Sequence, residues 1–553
     1  MARIPFLSET SIVSSSPASP KKDQYVSGSF FLSLILPLIG IVLLLIATAP
    51  WGIGANSDSS NYIAGARNLL KGLGYSNARS LSPITHWPPF FSFTLAAIGL
   101  FGIDPLEGAR ILNSSLFGVN ILMMGLILKE LTGSRTIACL GAFLTLTSQS
   151  MLTIHGWACS EPWFIFLSFT GFFLLVRYLG NGRKRLLFAA SGLAGLACLD
   201  RYAGIALLPA GILTILLLHQ KGFLNRTKDS LLYFAVSFFP LSLWFLRNHF
   251  VAGDSPTDRA FIVHSPSLKY FFDLFHTLSG WVLFIEFPPF LRYATLSIAF
   301  LVLSSLVVFM IQQEVRKQSL SLFIRDASFR FIASMAIFAL CYTGLHLTYQ
   351  LVVNASVTAD DRHFSPLFVT ILLSSLVLLN RFFVSCPNHK AFKAAILVSL
   401  IFFSLSSVYT SSQFLMQLSK QGNLFTTRQW KTSPTILQLK VIPPEARIYS
   451  NEPTVLYLNA NRVAWRLPGK YNRRQYRNPK SARPKDILAS QLQKVREKLL
   501  KKNGYVVFFT KRHKWSNLTQ AEIERYLPIV AIYELEDGSI YKTDPSRNVE
   551  PTP

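Results

Sequence analysis

The first 28 positions are polar and rich in Ser, Pro and Lys, and from Ser29 the chain turns apolar in long blocks. Blocks fall near 29–49, 110–128, 136–154, 161–179, 186–200, 202–219, 230–250, 292–312, 329–351, 363–380 and 391–413. Most approach the roughly 20 apolar residues that a helix needs to cross a hydrocarbon core, so about eleven transmembrane helices are expected. The pair 186–200 and 202–219 is interrupted by Asp200-Arg201. Two shorter apolar stretches, 88–103 and 270–290, are broken by Pro, Asp, His or Glu and are placed at the membrane surface. Phe30–Ala49 is too long for the core of a signal peptide and has no small-residue cleavage pattern, so it reads as a retained first helix. Residues 1–28 then form a disordered cytoplasmic tail, 29–415 a transmembrane domain with a first outer loop over 50–109, and 420–553 a soluble α/β domain. In that last region Arg447–Asn451 and Tyr505–Thr510 read as strands, Asp486–Lys501 as an amphipathic helix, and Ile529–Glu534 with Ser539–Thr543 as a hairpin; the Pro- and Arg-rich Arg466–Lys485 reads as a loop. The fold class is an α-helical polytopic membrane protein with a small C-terminal α/β domain.

Charge orients this layout. With the amino terminus inside, the short inner loops Lys129–Arg135, Arg177–Arg185, Lys221–Lys228, Arg316–Arg330 and Arg381–Lys393 each carry two or more basic residues, as the positive-inside rule asks. The odd number of spans places the C-terminal domain outside. The formal charge of +26 fits this topology and contact with anionic head groups; no stacking or zinc motif points to nucleic acid. The five cysteines, 139, 159, 198, 341 and 386, lie in or beside apolar blocks without a CxxC pair, which implies neither a metal framework nor a disulfide ladder.

On the outer side the topology gathers unusual polar groups: Asp58 in the first loop, Glu161 in Cys159-Ser-Glu-Pro-Trp163, Asp200-Arg201, Arg247-Asn248-His249, Asp254–Arg259 and Asp360-Asp361-Arg362-His363. Charge at membrane depth costs about 2.5–3.5 kcal/mol per residue on insertion scales, so these are functional candidates. Displacement at a sugar carbon that carries a lipid phosphate needs an acid to take a hydroxyl proton and cations for the leaving phosphate, for which the Arg fork is suited. Each residue also has a structural reading. Ser57-Asp58 can cap a helix over Asn61–Leu70, Glu161 can be a first-turn acid, and Asp200-Arg201 can neutralise each other. Arg247 can snorkel, Arg362 can pair with Asp361, and His155 and His363 can be hydrogen-bonded helix-end residues.

The chain resembles the class C fold of membrane glycosyltransferases, the superfamily of protein O-mannosyltransferase-like and aminoarabinose-transferase-like enzymes. The resemblance rests on Asp58–Gly72, Trp87-Pro-Pro-Phe90, Ala109-Arg-Ile-Leu112, Ser160-Glu-Pro162, Leu199–Gly204, Trp244–Asn248, Asp361–Pro366 and Ile448–Pro453, in this order. It implies a polyprenyl-phosphate-linked sugar donor, work on the periplasmic or lumenal side, and inversion at the anomeric carbon. It makes Asp58 the catalytic candidate, as general base or else as the acid that orients the acceptor, makes Glu161 the second acid, and puts Arg362 at the lipid phosphate. Tyr62, Trp87, Arg201, Arg247, Arg259 and His363 complete the expected substrate-binding set. Where many members have Lys before the Pro-Pro of the first loop, this chain has Trp87, so the phosphate must rest on arginines elsewhere. Where some carry two adjacent acids, Asp58 is followed by Ser59, and the use of a divalent metal ion as cofactor stays open.

The expectation is therefore a glycosyltransferase in a bacterial plasma membrane, its site facing the periplasm or exterior, moving a sugar from a polyprenyl phosphate to a hydroxyl or amine of a lipid, glycan or protein. Its rival is a transporter or flippase of lipid-linked sugars. That class often shows internal repeats and helices broken at mid-membrane; neither is evident in the sequence, and its odd charges gather at one face rather than at the centre.

Overall fold

The apolar blocks close into helices in a computed structural model that describes residues 26–253, 263, 268–283, 286–316, 326–353, 359–386, 388–469, 485–510 and 518–550. The expected tail 1–28 lies almost wholly outside the described residues, as do Arg259 and most of the Arg466–Lys485 segment. In chain order, α1 (Val26–Thr48) leads into α2 (Ser57–Leu70) and α3 (Phe90–Gly99) of the first loop. Then come α4 (Pro105–Thr132), α5 (Arg135–Leu146), α6 (Gln149–His155), α7 (Glu161–Asn181) and α8 (Lys184–Asp200). They are followed by α9 (Leu207–Leu218), α10 (Phe223–Ala252), α11 (Leu268–Val282), α12 (Pro289–Arg316), α13 (Ala327–Val352), α14 (Asp361–Ser385) and α15 (Lys390–Gln421).

Among the described residues, seven helices are long and apolar enough to cross a bilayer: α4, α7, α10, α12, α13, α14 and α15. α5 and α6 pass the same test only as a pair, bent by 58° at their junction. Helices stand at the other three expected positions too, but they are shorter by this measure: the apolar part of α1, α8, and α9. The break between α8 and α9 has a local cause. Arg201 is extended (φ −148°, ψ 137°) and a 3-10 turn, Tyr202–Ala206, restarts the chain. The stretches expected at the membrane surface become the short helices α3 and α11.

Beyond α15 the chain forms α16 (Arg428–Lys431), α17 (Pro434–Leu437), β1 (Ile448–Ser450), α18 (Pro453–Ala460), β2 (Ala464–Arg466), α19 (Lys485–Lys502), β3 (Tyr505–Phe509), α20 (Gln520–Tyr526), β4 (Ile529–Leu535) and β5 (Gly538–Thr543). The sheet order is β2-β1-β3-β5-β4. β1 runs parallel to both β2 and β3, and β5 runs antiparallel to β3 and β4, with Ile448 opposite Ala464 and Tyr505 and Val507 opposite Ile540. Alternate side chains of a strand face opposite ways. Accordingly Ile448, Val507 and Phe509 pack with Trp430, Ile436 and Leu456 on one face. Tyr449, Val506 and Phe508 pack with Leu492, Val495 and Leu499 of α19 on the other. The expected strands and hairpin are present; β2, three residues long, has no sequence signal of its own.

The sheet region is fastened to the end of the bundle that carries the first loop. Arg67 of α2 donates from Nε and Nη2 to Asp104 (2.9 and 3.0 Å) and from Nη1 to Asn461 Oδ1 (2.9 Å), and lies over the Tyr457 ring at 5.2 Å. Burial alone would raise the Asp104 carboxyl, but Arg67 overrides it and holds the group below its ordinary range. A carboxyl depressed on folding stabilises the folded state above its unfolded pKa, and that contribution is lost as pH falls through the folded value. Because Asp104 is half-exposed, the clamp contributes about 1 kcal/mol or less. We expect Arg67→Ala to lower the unfolding temperature at pH 7 and to make a smaller difference near pH 3, as read by thermal unfolding of the detergent-solubilised protein.

Candidate active site

Three irregular segments are laced together by backbone hydrogen bonds just below the two acids. Gly54 N donates to Gly156 O (2.9 Å), Ala158 N to Gly54 O (2.7 Å) and Phe425 N to Ala55 O (2.9 Å), while Thr426 Oγ1 donates to Ile53 O (2.7 Å). The approach is close enough to require glycine: a Cβ on Gly54 would stand 2.8 Å from the Trp157 ring. Asn113 of α4 adds donations to Trp157 O (2.7 Å) and Cys159 O (3.0 Å), and Asn120 donates to Pro162 O (3.0 Å). The stretch that ends at Asp58 and the stretch that ends at Glu161 are thus set side by side.

Asp58 is not the helix cap. Asn56 caps α2, accepting from Asp58 N (2.9 Å) and Ser59 N (3.0 Å), while Ser59 Oγ accepts from Asn56 N in a capping box. The helix accordingly starts at Ser57 rather than Asn61, and the Asp58 carboxylate is released for other contacts. Arg362, in the first turn of α14, donates from Nη1 to Asp58 Oδ2 (2.9 Å) and from Nε to Glu161 Oε1 (2.5 Å). Arg201 Nη1 pairs with the same Glu161 oxygen. Two carboxylates and two guanidiniums form one chain, Asp58–Arg362–Glu161–Arg201. The Glu161 side chain is 2% exposed and that of Asp58 34% exposed, so only Asp58 is open to an incoming group.

This corrects two of the structural readings. Arg201 makes no ion pair or hydrogen bond with its neighbour: Asp200 is fully buried, and neither of its carboxylate oxygens has a hydrogen-bond partner. Arg362 does not pair with Asp361, whose Oδ1 accepts instead from Ser150 Oγ (2.7 Å) and Trp281 Nε1 (2.5 Å). Glu161 is the first-turn acid of α7 and is also held by both arginines.

The remaining expected residues fall as follows. Tyr62 is buried one turn after Asp58, its hydroxyl 3.5 Å from Ser160 Oγ, which also accepts from Arg201 Nη1 (3.3 Å). Burial pushes the Tyr62 phenol up, so it stays protonated and able to donate. His363 bonds Asp360 Oδ1 through Nδ1 (2.6 Å), and its carbonyl accepts from the Tyr342 hydroxyl (2.7 Å). His155 is buried between Met151 O (2.7 Å) and Asn120 Nδ2 (3.0 Å). Arg247 is drawn to the first loop, donating to Ile84 O (2.9 Å) and Tyr75 O (3.4 Å), with its guanidinium 4.9 Å from the Trp244 ring centre. Trp87 is half-buried beside His86, the ring centres 4.5 Å apart. Burial first, and the Glu161 charge next, push the Cys159 thiol well up, and Cys159 donates to Ile154 O (3.2 Å).

Sequence reasoning missed Arg292. It stands in the first turn of α12, 1% exposed, with Nη2 3.1 Å from His276 Nδ1 and with Nε and Nη1 lacking hydrogen-bond partners. His276 belongs to α11, whose Thr277 and Trp281 bond Ala359 and Asp361 just before Arg362. An arginine at the start of a span reads as a snorkelling end residue, and no local signal tells that α11 covers it. As to a metal ion, no group of three or more His, Cys, Asp or Glu side chains among the described residues is placed to hold one. Asp58 and Glu161 converge on a guanidinium, and that donor set does not fit a two-carboxylate metal site.

No curated protein matches the chain in sequence. Residues 85–251 match the family of dolichyl-phosphate-mannose-protein mannosyltransferases. Among solved structures, ArnT from Cupriavidus metallidurans bound to undecaprenyl phosphate is 13% identical with a TM-score of 0.54, covering 94% of this chain and 99% of its own. The archaeal oligosaccharyltransferase AglB from Archaeoglobus fulgidus, in complex with an inhibitory peptide and a dolichol-phosphate, is 12% identical with a TM-score of 0.52, covering 93% and 74%. The helical bundle, its capping sheet and the matched segment 85–251 together place the chain in the class C fold of membrane glycosyltransferases.

Proposed function

We propose that the protein transfers a sugar from a polyprenyl-phosphate-linked donor to an acceptor hydroxyl or amine, with inversion, at the non-cytoplasmic face of a bacterial plasma membrane. The observation that carries this reading is the Arg362 guanidinium joining Asp58 and Glu161 from elements far apart in sequence. Asp58 takes the acceptor proton as the acceptor oxygen or nitrogen bonds the anomeric carbon. The bond from that carbon to the phosphate oxygen breaks on the opposite face, and its electron pair leaves with the polyprenyl phosphate. Asp58, Glu161, Arg201 and Arg362 in their charged forms sum to zero. When Asp58 is protonated one positive charge is uncovered, at the moment the leaving phosphate gains one negative charge. Stabilisation aimed at charge that develops only in the transition state lowers the barrier. Arg292, buried with two guanidinium nitrogens lacking hydrogen-bond partners, is the proposed further contact of the donor phosphate, a role the sequence reading gave to Arg247, Arg259 and Arg362. The fold likeness to structures with polyprenyl phosphates supports the donor class.

The test is incubation of purified protein with a panel of polyprenyl-phosphate sugars, scoring which is consumed. We expect one donor to be turned over, and Arg292→Ala to raise the KM for it by about tenfold or more. If no lipid-linked sugar is consumed while such lipids are moved across vesicle membranes, the transferase reading is wrong.

A further inference from the structure

A cleft of about 560 Å³ separates the first outer loop from the C-terminal sheet region, with walls formed by α2, residues 77–87, the start of α18 and β2. Sites for small ligands have volumes of roughly 300–1,000 Å³. Ser57 and Asn61 line it on α2. Asp58 itself is not among the lining residues; Asn61, three positions on, is its neighbour on the helix surface, so the cleft runs along the face of α2 beside the one that carries Asp58.

Its chemistry is one-sided. Arg79 and Arg466 line it from opposite walls together with His86, and no Asp or Glu is among the lining residues. Desolvation first and the like charge of Arg466 second pull the Arg79 guanidinium down from its ordinary value, so the two guanidiniums stand close enough to feel each other's charge, and Arg466 also donates from Nη1 to Asn451 O (3.5 Å). Two indoles complete the walls, Trp87 on the loop and Trp465 on β2. Arg447 lies 4.1 Å from the Trp465 ring centre and Trp87 packs against His86, so each ring is backed by a neighbour. Flat apolar faces suit the C–H faces of a sugar ring, and Arg forks suit phosphate or carboxylate oxygens. A cleft lined by one sign of charge also concentrates ligands of the opposite sign.

The geometry points to an acceptor that is an anionic saccharide, a sugar bearing a phosphate or carboxylate, held in this cleft by Arg79 and Arg466 with its ring against Trp87 and Trp465. This rests on the transferase reading, since it makes the cleft the acceptor side of the Asp58 site, but the binding preference stands or falls separately from turnover.

Isothermal titration of the full-length protein in detergent, with trehalose 6-phosphate, trehalose and inorganic phosphate as probes, measures it. We expect trehalose 6-phosphate to bind about tenfold tighter than either of the others. The pair Arg79→Gln/Arg466→Gln should lose that preference, and Arg79→Glu/Arg466→Glu should reverse it, with unfolding temperatures checked for both. Asp58→Asn, inactive in transfer, should keep the wild-type preference. Equal binding of the neutral and the phosphorylated sugar, no binding of either, or an unchanged preference in the Glu pair overturns the proposal. Inorganic phosphate binding as tightly as the sugar phosphate overturns the saccharide part. Loss of turnover with an intact preference would count against the transferase reading alone.

Discussion

Asp58→Asn is expected to abolish transfer while the protein still expresses, folds and binds both substrates. The substitution keeps the side chain's shape and leaves an amide oxygen to accept from Arg362 Nη1, now 2.9 Å from Asp58 Oδ2. An amide cannot take a proton from the acceptor, and general-base catalysis by a placed carboxylate contributes about 10²–10⁴ in rate. The second effect is electrostatic. Asn at this position leaves Arg362 partly unneutralised before reaction, so the positive charge that in the wild type appears only as Asp58 is protonated is present throughout. Stabilisation present equally in the ground state and the transition state does not raise the rate. The two losses act in the same direction on kcat, and neither predicts weaker donor binding. Because Asp58 is about one-third exposed and its helix is capped by Asn56, little stability depends on it. The measurement is turnover of the consumed polyprenyl-phosphate sugar by purified variant and parent, with unfolding temperature as the control. Full turnover by the variant would remove Asp58 from the reaction.

Individual members of this cluster were legible in the sequence because each breaks a local pattern. Asp58 opens a polar loop directly after an apolar block, Glu161 precedes a proline at the start of the next, and Arg362 sits in an acidic-basic run where a span begins. Their convergence was not legible. Arg362 is 304 positions from Asp58 and 201 from Glu161, and the two acids are set side by side by bonds among residues 53–55, 156–158 and 425–426, most of them between main-chain groups that carry no sequence code. Adjacency misled at Asp200-Arg201 for a related reason. The extended backbone at Arg201 sends consecutive side chains different ways, so Arg201 reaches Glu161 while Asp200 stays buried. Arg247 was read as a phosphate contact because it ends a span on the outer face, yet its guanidinium is engaged by carbonyls of the first loop. The membrane helices themselves followed from the length of the apolar blocks. The cleft beside α2 did not, since its walls come from α2, a coil segment and a three-residue strand nearly 400 positions later.

Arg362→Ala is expected to cost both stability and transfer, and the two losses separate. Arg362 is 11% exposed and, among the described residues, is the one cation that bonds both acids. Removing one partner of a buried ion pair costs about 3–5 kcal/mol because the other charge is left uncompensated. Here Glu161 keeps Arg201, and Asp58 is partly solvated, so the lower end, about 3 kcal/mol, is expected. The rate should fall by about a hundredfold or more, as when one donor aimed at developing charge is removed. Arg362→Lys separates the effects. A single ammonium restores a charge beside Glu161 but lacks the planar fork that reaches two acids at once, so stability should largely return while turnover does not. Adding Asp58→Asn to Arg362→Ala should cost little further turnover, because the two residues act as one unit. It should also recover part of the lost stability, because one uncompensated carboxylate is gone. Thermal unfolding of the four proteins in one detergent, with initial rates on one donor, gives the whole comparison. An Arg362→Ala protein that melts with the parent and turns over at a similar rate would mean that the bridge between Asp58 and Glu161 is an ornament of the outer rim, and that the chemistry lies elsewhere in the bundle.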